Sequence, residues 1–167
     1  MPLTAAQIRQ RLAMQPHPEG GHYVEVFRAS EVVRRGSDGA ERVSSTAIYF
    51  LLEDGDFSAF HRVSSDEAWH HYLGDPVELS IIDASGLAER RQLGSDLLGG
   101  QEPLSLVPAG AYQAARLAGI GCGFALCGCT VAPGFDFSDF ELPTRAQLIG
   151  LFPQHEALIC QLTRSLG

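Results

Sequence analysis

The sequence predicts an all-β protein, either a sandwich or a barrel, because strand-like segments follow one another without helices between them. From Tyr23 to Val131 the chain consists of β-branched, aromatic and alternating segments, separated by turns rich in Gly, Asp and Pro. The predicted strands cover residues 23–29, 43–52, 57–63, 67–73, 77–83, 87–92, 104–107, 112–117 and 122–131. Such a succession of short strands is typical of sandwiches and barrels.

Short helices are predicted at both ends of the chain. A threonine N-cap begins a helix over residues 4–14, and two prolines end it. A capped helical turn is predicted over 144–151, and a proline at the next N-terminus opens a helix over 153–162. The segment 34–39 is polar and glycine-rich, which predicts a hairpin tip or a mobile surface loop.

Length and composition predict one domain over residues 1–167. The chain is 45% hydrophobic and 19% charged, enough apolar material for a single core. Twenty acidic residues against twelve basic ones give a net charge of -8. A chain of this charge repels phosphate backbones, so we expect no nucleic-acid partner.

The chain also predicts a soluble cytoplasmic protein with reduced cysteines. It begins without a basic segment and long apolar run, and no stretch is apolar enough to cross a membrane, so no membrane partner is expected. Three of the four cysteines, Cys122, Cys127 and Cys129, lie in one apolar run. We interpret them as buried thiols with a packing role.

The segment from Gly55 to Gly74 has the most informative spacing in the chain. It matches the pattern G-x5-H-x-H-x3-4-E-x6-G through His61 and Glu67, with Val63 in place of the second histidine. A second pattern, G-x5-P-x-G-x2-H-x3-N, is matched about forty residues later by a proline and a glycine. There Gln113 stands in place of the histidine.

These two motifs resemble those of the cupin superfamily, which normally build a metal site inside a small β-barrel. Flanking segments resemble one uncharacterised cupin family, the cupin-5 domain of unknown function: 16–23, 45–52, 65–70, 73–79 and 128–142. The resemblance covers nearly the whole chain. It implies a double-stranded β-helix, the cupin jelly-roll barrel, and a homodimer.

Strand alternation predicts which side chains line the barrel. If His61 points inward, Phe57, Ala59 and Val63 share its face. The same parity from Glu67 turns Trp69, His71 and Leu73 inward, and Gln113 takes Ala115 and Leu117 with it. A mainly apolar interior with a few converging polar groups is typical of a small-molecule site. We therefore name Phe57, Trp69 and His71 as candidate ligand contacts.

His61, Glu67 and Gln113 are the candidate catalytic residues. A carboxylate beside an imidazole raises its pKa and suits it to act as a general acid or base near neutral pH. In this hypothesis His61 transfers the proton, Glu67 orients it and Gln113 positions the ligand. The arrangement is similar to metal-free cupins such as the sugar-nucleotide 3,5-epimerases. A simpler interpretation is that these groups only bond each other inside the barrel.

The same three residues are also candidate metal ligands. His61, Glu67 and the amide oxygen of Gln113 form an incomplete set that would hold a divalent metal only weakly. The N-terminal turn adds Glu19, His22 and Tyr23 as candidate ligand-binding residues at the barrel rim, although the turn also serves simply to cap the barrel.

Three functions remain open from the sequence. The first is a metal-independent isomerase or epimerase acting on a small carbohydrate-like or carbonyl substrate. The second is a non-catalytic ligand-binding or sensing barrel. The third is a metal-dependent enzyme of dioxygenase type with a degenerate His-Glu-Gln site. Metal content and the effect of His61→Ala on turnover separate these hypotheses.

Overall fold

The computed structural model describes residues 2–119 and 121–164, which contain twelve strands, three α-helices and two 3₁₀ turns. The strands are β1 (Gln15–Pro16), β2 (His22–Arg28), β3 (Val32–Arg34), β4 (Glu41–Val43), β5 (Thr46–Glu53), β6 (Phe57–His61), β7 (Asp66–Gly74), β8 (Val77–Ile82), β9 (Ala88–Leu93), β10 (Leu104–Val107), β11 (Tyr112–Leu117) and β12 (Phe124–Ala132). The helices are α1 (Ala5–Leu12), α2 (Arg145–Leu151) and α3 (Glu156–Gln161). The 3₁₀ turns cover Phe137–Asp139 and Pro153–His155.

Two antiparallel sheets face each other and enclose the barrel interior. The larger sheet has the order β1-β2-β5-β12-β7-β10, and the smaller one has the order β6-β11-β8-β9. The remaining pair, β3 and β4, forms a separate hairpin. Strands distant in sequence are neighbours in both sheets, so the barrel brings together residues from all parts of the chain.

The space between the sheets holds the main apolar core. Phe50, Trp69 and Leu79, at most 1% exposed, are among its largest side chains. Two further apolar clusters lie outside the barrel. One packs α2 and α3 against the smaller sheet through residues such as Phe60 and Ile159. The other packs α1 against the larger sheet. The helices therefore cover outer sheet faces.

The all-β jelly-roll barrel with short flanking helices is confirmed. Thr4 and Thr144 each cap a helix through a reciprocal hydrogen bond with a glutamine three residues later. The first helix ends two residues earlier than predicted because Ala13 adopts a left-handed conformation with φ 51°. The domain predicted over 1–167 includes Met1, Ile120 and 165–167, which lie outside the described residues.

Strand alternation fails at two irregular positions. The pairing of β6 with β11 shifts register between Gln113 and Ala115, so Ser58 and not Ala59 lies opposite Ala115. Phe57 packs with the outer cluster under α2 and α3, and its predicted inward orientation was wrong. A second shift between β7 and β12 leaves Leu73 47% exposed on the outer face. Val63, also predicted to point inward, follows β6 and is buried outside the main core.

The glycine-rich segment 34–39 is the tip of the β3–β4 hairpin, as one of the two sequence predictions stated. The predicted strand 43–52 is divided between β4 and β5. Arg35 at the tip is buried, and its guanidinium donates to Asp139 at 2.8 and 3.0 Å. Arg42 donates to the same carboxylate through two contacts of 2.7 Å. The hairpin is thereby anchored to the 3₁₀ turn that follows β12.

Among the helices of the described residues, none has the length and apolar character needed to cross a membrane.

Candidate functional site

Glu67, Trp69 and Gln113 form one hydrogen-bonded group inside the barrel. The indole N–H of Trp69 donates to Oε1 of Gln113 at 2.8 Å, and Nε2 of Gln113 donates to Oε2 of Glu67 at 2.5 Å. An indole nitrogen only donates, so the amide must turn its oxygen toward Trp69 and its N–H group toward Glu67. Trp69 thus fixes how Gln113 meets the carboxyl group.

Burial raises the pKa of the Glu67 carboxyl from its ordinary value. The charge of His61 opposes this change, the charge of Glu19 adds to it, and hydrogen bonds from Gln113 and the Cys129 thiol oppose it. Burial also raises the pKa of Cys129 well above its ordinary value, which keeps the thiol protonated. Glu67 therefore tends toward the uncharged acid.

His61 lies between the Ala59 carbonyl and the Glu19 carboxyl group. Nδ1 of His61 lies 2.8 Å from the carbonyl oxygen of Ala59, and Nε2 lies 3.2 Å from Oε2 of Glu19. The Ser58 hydroxyl donates to Oε1 of Glu19 at 2.7 Å. Burial raises the pKa of Glu19 to about 8 and lowers the pKa of His61. Glu67, predicted as the orienting partner of His61, instead bonds Gln113 and acts on His61 only through its charge.

His17 extends this group toward the solvent side. The backbone N–H of Glu19 donates to Nδ1 of His17 at 3.3 Å, and Oε2 of Glu19 lies 3.3 Å from the same nitrogen. The ring packs edge-on against Tyr23, with centroids 4.7 Å apart, and stacks on Phe137 at 6.1 Å. Burial, with the nearby His61, lowers the pKa of His17 to about 4. The imidazole is therefore uncharged at neutral pH.

A tight turn at Gly20 and Gly21 places Glu19 under the smaller sheet. Gly20 has φ 114°, and a Cβ there would lie 2.1 Å from the carbonyl oxygen of Phe57. The backbone N–H of Gly21 donates to Asp56 at 2.8 Å. Arg164 closes the arrangement, donating to Asp56 at 2.7 Å and to the Phe57 carbonyl at 2.9 Å. Only glycine fits both the conformation and the close approach.

A cavity of about 470 Å³ opens above these groups. Its polar floor includes His17, Glu67 and Cys129, and Phe135 and Phe137 stand at its side with Tyr23. The other lining residues are Ala13, Gln15, Val24, Glu25, Arg28, Thr46, Ile48, Val131 and Asp136. Glu19 and His61 do not line it. Phe140 packs on the His61 ring with centroids 5.5 Å apart.

The structure separates the other sequence candidates into inner and outer positions. Tyr23 and Trp69 belong to the barrel interior. His22 lies on the opposite face, 3.5 Å from both Glu53 and Arg9. His71 bonds the backbone carbonyl of Asp75 at 3.0 Å, away from the His61 group. Neither His22 nor Phe57, which lies on the outside of the barrel, lines the cavity.

The family model described as "Cupin superfamily (DUF985)" matches residues 6–143 of the chain. The chain belongs to this cupin family. No curated protein matches it. The family carries no assigned reaction in its description, so the chemistry of this cupin must be argued from its own residues.

Solved structures support the same assignment. This cupin is 38% identical to a hypothetical protein from Leishmania major, with a TM-score of 0.92 and coverage of 98% of this chain and 100% of that one. It is 35% identical to a protein from Shewanella oneidensis, with a TM-score of 0.89 and coverage of 99% and 100%. A Bacillus subtilis oxalate decarboxylase is 15% identical, with a TM-score of 0.54 and coverage of 88% and 36%. The last likeness concerns the fold alone.

The residues of this cupin do not fit the metal that the superfamily motif implies. The Gln113 oxygen accepts from Trp69, so the amide turns N–H toward Glu67, and Val63 contributes no donor. Within residues 2–119 and 121–164, no three His, Cys, Asp or Glu side chains are grouped to hold a metal ion. The set of His61, Glu67 and Gln113 therefore lacks the amide oxygen ligand that the sequence hypothesis required of Gln113.

Sequence reasoning missed three members of the site: His17, Ser58 and Cys129. His17 stands between two prolines, and that rigid context was the available signal. Ser58 faces Glu19 only because of the irregular pairing of β6. Cys129 was assigned to packing, but its thiol lies near Glu67 and lines the cavity. Cys122, also predicted to be a buried thiol, is exposed.

Proposed function

We propose that this cupin is a cofactor-independent enzyme that moves a proton next to a carbonyl group, in an isomerisation or epimerisation of a small carbohydrate-like or carbonyl compound. One observation carries the proposal. The floor of the cavity pairs a carboxyl group with a raised pKa, Glu67, with an imidazole of lowered pKa, His17. Such a pair offers a carboxylate made more basic by its raised pKa and an uncharged imidazole that can donate a hydrogen bond.

Glu67 acts as the base. Its ionised form takes the proton from the carbon beside the ligand carbonyl, and its raised pKa makes it a stronger base than a free carboxylate. Gln113 donates to the other side of the carboxyl group, and Trp69 holds Gln113 in place. The direction of the Glu67 carboxyl group is therefore set before the ligand arrives.

His17 acts as the hydrogen-bond donor. The backbone N–H of Glu19 donates to its Nδ1, so the neutral ring carries its proton on Nε2, the nitrogen available to the cavity. When Glu67 takes the proton from the carbon beside the carbonyl, the electron pair of that C–H bond forms an enolate or enediol, and the Nε2–H group of His17 stabilises the charge on its oxygen. Return of the proton from Glu67 to the neighbouring carbon, or to the other face, completes the reaction. The sequence assigned proton transfer to His61, but Phe140 covers His61 and the cavity does not reach it.

The cavity walls favour an uncharged ligand with an apolar face. Arg28 lines the cavity, but its guanidinium already pairs with Glu25 at 2.7 Å. Tyr23, Phe135 and Phe137 offer aromatic faces, which suit the C–H side of a sugar ring and exclude water from the floor. A volume of about 470 Å³ accommodates a ligand of monosaccharide size.

Deuterium exchange tests this function without knowledge of the product. Small aldoses, ketoses and hydroxyketones are first screened for binding by thermal shift, and each binder is incubated with the protein in D2O. Proton abstraction then places deuterium beside the carbonyl, which is detected by NMR and mass spectrometry. We expect Glu67→Gln and His17→Gln to slow incorporation at least ~100-fold, the usual contribution of acid–base catalysis.

His70→Gln is the matched control, because His70 lies on the outer face beside Thr130 and Tyr72. It should exchange at the rate of the unmodified protein. Saturable binding of these compounds without deuterium incorporation into any of them would overturn the enzyme proposal. That result would favour the alternative of a non-catalytic ligand-binding barrel.

A further inference from the structure

The outer side of the larger sheet carries apolar side chains beyond the end that α1 covers. On β12, Cys127 and Cys129 belong to the core, so Gly128 and Thr130 point outward. Phe27 on β2 and Tyr72 on β7 lie on the same side of the sheet. Alternation also turns outward the neighbouring side chains Ala47, Tyr49, Ala68, His70, Leu104 and Leu106. These residues together form the β2–β10 face.

The large side chains of the β2–β10 face are about half exposed, and its centre is flat. Phe27 is 51% exposed, Tyr72 49% and Leu106 56%. The Tyr72 ring lies across Gly128, where a Cβ would come within 2.7 Å of that ring. The same ring stacks on His70 with centroids 6.3 Å apart. Because Gly128 has no side chain, the tyrosine lies flat on the sheet and offers a rigid aromatic surface.

Charged side chains border the β2–β10 face but do not belong to it. None of its residues is Asp, Glu, Lys or Arg, although these types make up 19% of the chain. At one border Asp66 turns its carboxylate to the backbone N–H of Ala109, which donates at 2.8 Å. An antiparallel sheet with one solvated side normally carries polar residues there. An apolar surface with a polar border is instead typical of a protein–protein interface.

The β2–β10 face is large enough for a stable contact. Neighbouring strands lie ~4.8 Å apart, so the five strands β2, β5, β12, β7 and β10 give a width of about 20 Å. Successive outward residues of a strand lie ~7 Å apart, so the three rows of outward side chains give a similar length. The side chains that stand on this area bring its accessible surface to the order of ~800 Å², the contribution of each partner to a standard interface.

The charge of the chain favours a second copy as the partner. Two copies that each carry a net charge of -8 repel each other, but contact through the β2–β10 face places no like charges opposite one another. The same net charge repels an anionic membrane surface. An extended peptide would pair with the edge of a sheet. At the β10 edge, however, the Arg91 guanidinium already donates to the Leu106 carbonyl at 2.6 Å.

We propose that the β2–β10 face packs against the same face of a second copy of this chain, in a two-fold dimer of stacked sheets. Such a contact uses the same residues on both subunits, and stacked sheets align within ~30° of each other. The cupin resemblance predicted a homodimer but assigned no surface to it. The inference does not rest on the proposed function.

The dimer contact lies directly behind the cavity. Tyr23 on β2, Ile48 on β5, Glu67 on β7 and Cys129 on β12 line the cavity from the inner side of the same sheet. The second copy therefore supports the cavity wall from outside without contributing a residue to it.

Sedimentation velocity of the tag-free protein, at concentrations from about 1 to about 100 µM, tests the dimer. We expect a species of twice the chain mass of 18.0 kDa. Phe27→Glu and Leu106→Glu place a charge at opposite borders of the contact and should each raise the dissociation constant at least ~100-fold. Both side chains are half exposed in the single chain, so neither substitution disturbs the core. Circular dichroism checks that each variant is folded.

Leu151→Glu is the matched control, because Leu151 is 57% exposed and lies on α2, which covers the smaller sheet. This variant should remain a dimer. A monomer at every concentration would overturn the proposal and assign the β2–β10 face to a partner of another kind. A dimer that survives both Phe27→Glu and Leu106→Glu, or that Leu151→Glu dissociates equally well, would place the contact elsewhere and overturn it as well.

Discussion

Glu19 and Asp139 are two buried carboxyl groups with opposite protonation tendencies. Their side chains are similarly hidden from solvent, 6% and 8% exposed. Asp139 accepts hydrogen bonds from the guanidinium groups of Arg35 and Arg42, which hold its pKa well below the usual range. Glu19 meets two uncharged histidines and Ser58, and burial raises its pKa to about 8. The neighbouring side chains, and not burial alone, therefore decide whether each carboxyl group is charged.

This difference separates a structural contact from a reactive one. The Asp139 carboxylate with its two arginines joins the β3–β4 hairpin to the turn that carries Phe137 and Phe140. Its lowered pKa contributes stability above the ordinary aspartate range, and that stability is lost only as the pH falls. The pKa shift of Glu19 changes stability in the opposite direction with pH, because the folded protein holds a proton that the unfolded chain releases near pH 4.5.

The largest effect should follow from breaking the arginine contact. Asp139→Asn leaves the buried guanidinium of Arg35, 5% exposed, with Asp38 as its remaining carboxylate partner. We expect the free energy of unfolding to fall by about 3 kcal/mol, the lower end for removal of one partner from a buried ion pair. Urea denaturation at pH 7 measures this loss.

Asp38→Asn provides the control for this prediction, because Asp38 is 48% exposed and contacts the same arginine. Its loss should be clearly smaller, since exposed ion pairs contribute little. Equal losses from the two substitutions would show that burial of the Asp139 contact has no energetic consequence.

A smaller effect is expected from Glu19→Gln, and it should depend on pH. Between pH 4.5 and 8 the unfolded chain releases the Glu19 proton while the folded protein keeps it, so the free energy of unfolding falls as the pH rises. His17 and His61 have the opposite sign, but their contribution ends near pH 6.5, the ordinary pKa of histidine. Between pH 6.5 and 8 the variant should gain about 2 kcal/mol relative to the unmodified protein, at ~1.4 kcal/mol per pH unit.

Parallel urea titrations from pH 5.5 to 8.5 give the difference curve directly. Glu53→Gln, on the outer face, should follow the unmodified protein at every pH. A constant difference between Glu19→Gln and the unmodified protein across this interval would mean that Glu19 is ionised in the folded state, as Asp139 is.

The smallest effect compares two buried serines of equal exposure. Ser58 and Ser80 are both 0% exposed, but Ser58 donates to Glu19, whereas Ser80 Oγ has no hydrogen-bond partner within the described residues. Ser58→Ala should lower the free energy of unfolding by about 1 kcal/mol and raise the pKa of Glu19 further, because this hydrogen bond opposes the effect of burial.

Ser80→Ala should be neutral or slightly stabilising, since it removes an unpaired polar group. Denaturation of both variants at pH 6 and pH 8 separates the lost hydrogen bond from the changed pKa. An equal loss of stability for Ser80→Ala and Ser58→Ala would show that the hydrogen bond from Ser58 to Glu19 does not itself stabilise the fold.

The helices and strands that could be predicted are those marked by local signals in the sequence. Capping threonines, proline positions and two-residue alternation predicted both flanking helical regions and most strands, because each signal acts within a few residues. The spacing of His61, Glu67 and Gln113 correctly placed three side chains in one interior. Their functional roles stay predictions.

The remaining part depends on contacts that no local pattern records. Glu19 meets His61, 42 positions later in the sequence, through a turn whose direction is set by Gly20 and its neighbour. Because β6 pairs irregularly, Ser58 takes the inward orientation that alternation predicted for Phe57. Alternation assumes a regular ladder, and one shifted residue reverses the face of every position beyond it.

Arg164 gives the site a dependence on the order in which the chain is made. Its guanidinium reaches the carbonyl of Glu19, 145 positions earlier, and braces the Asp56 carboxylate that holds the Gly21 backbone. During synthesis His17 and Glu19 therefore emerge long before Arg164, which secures the turn that follows them. A nascent chain that had already paired all its strands would still lack this last brace, so the groups proposed to handle protons reach their final geometry only after Arg164 has been made.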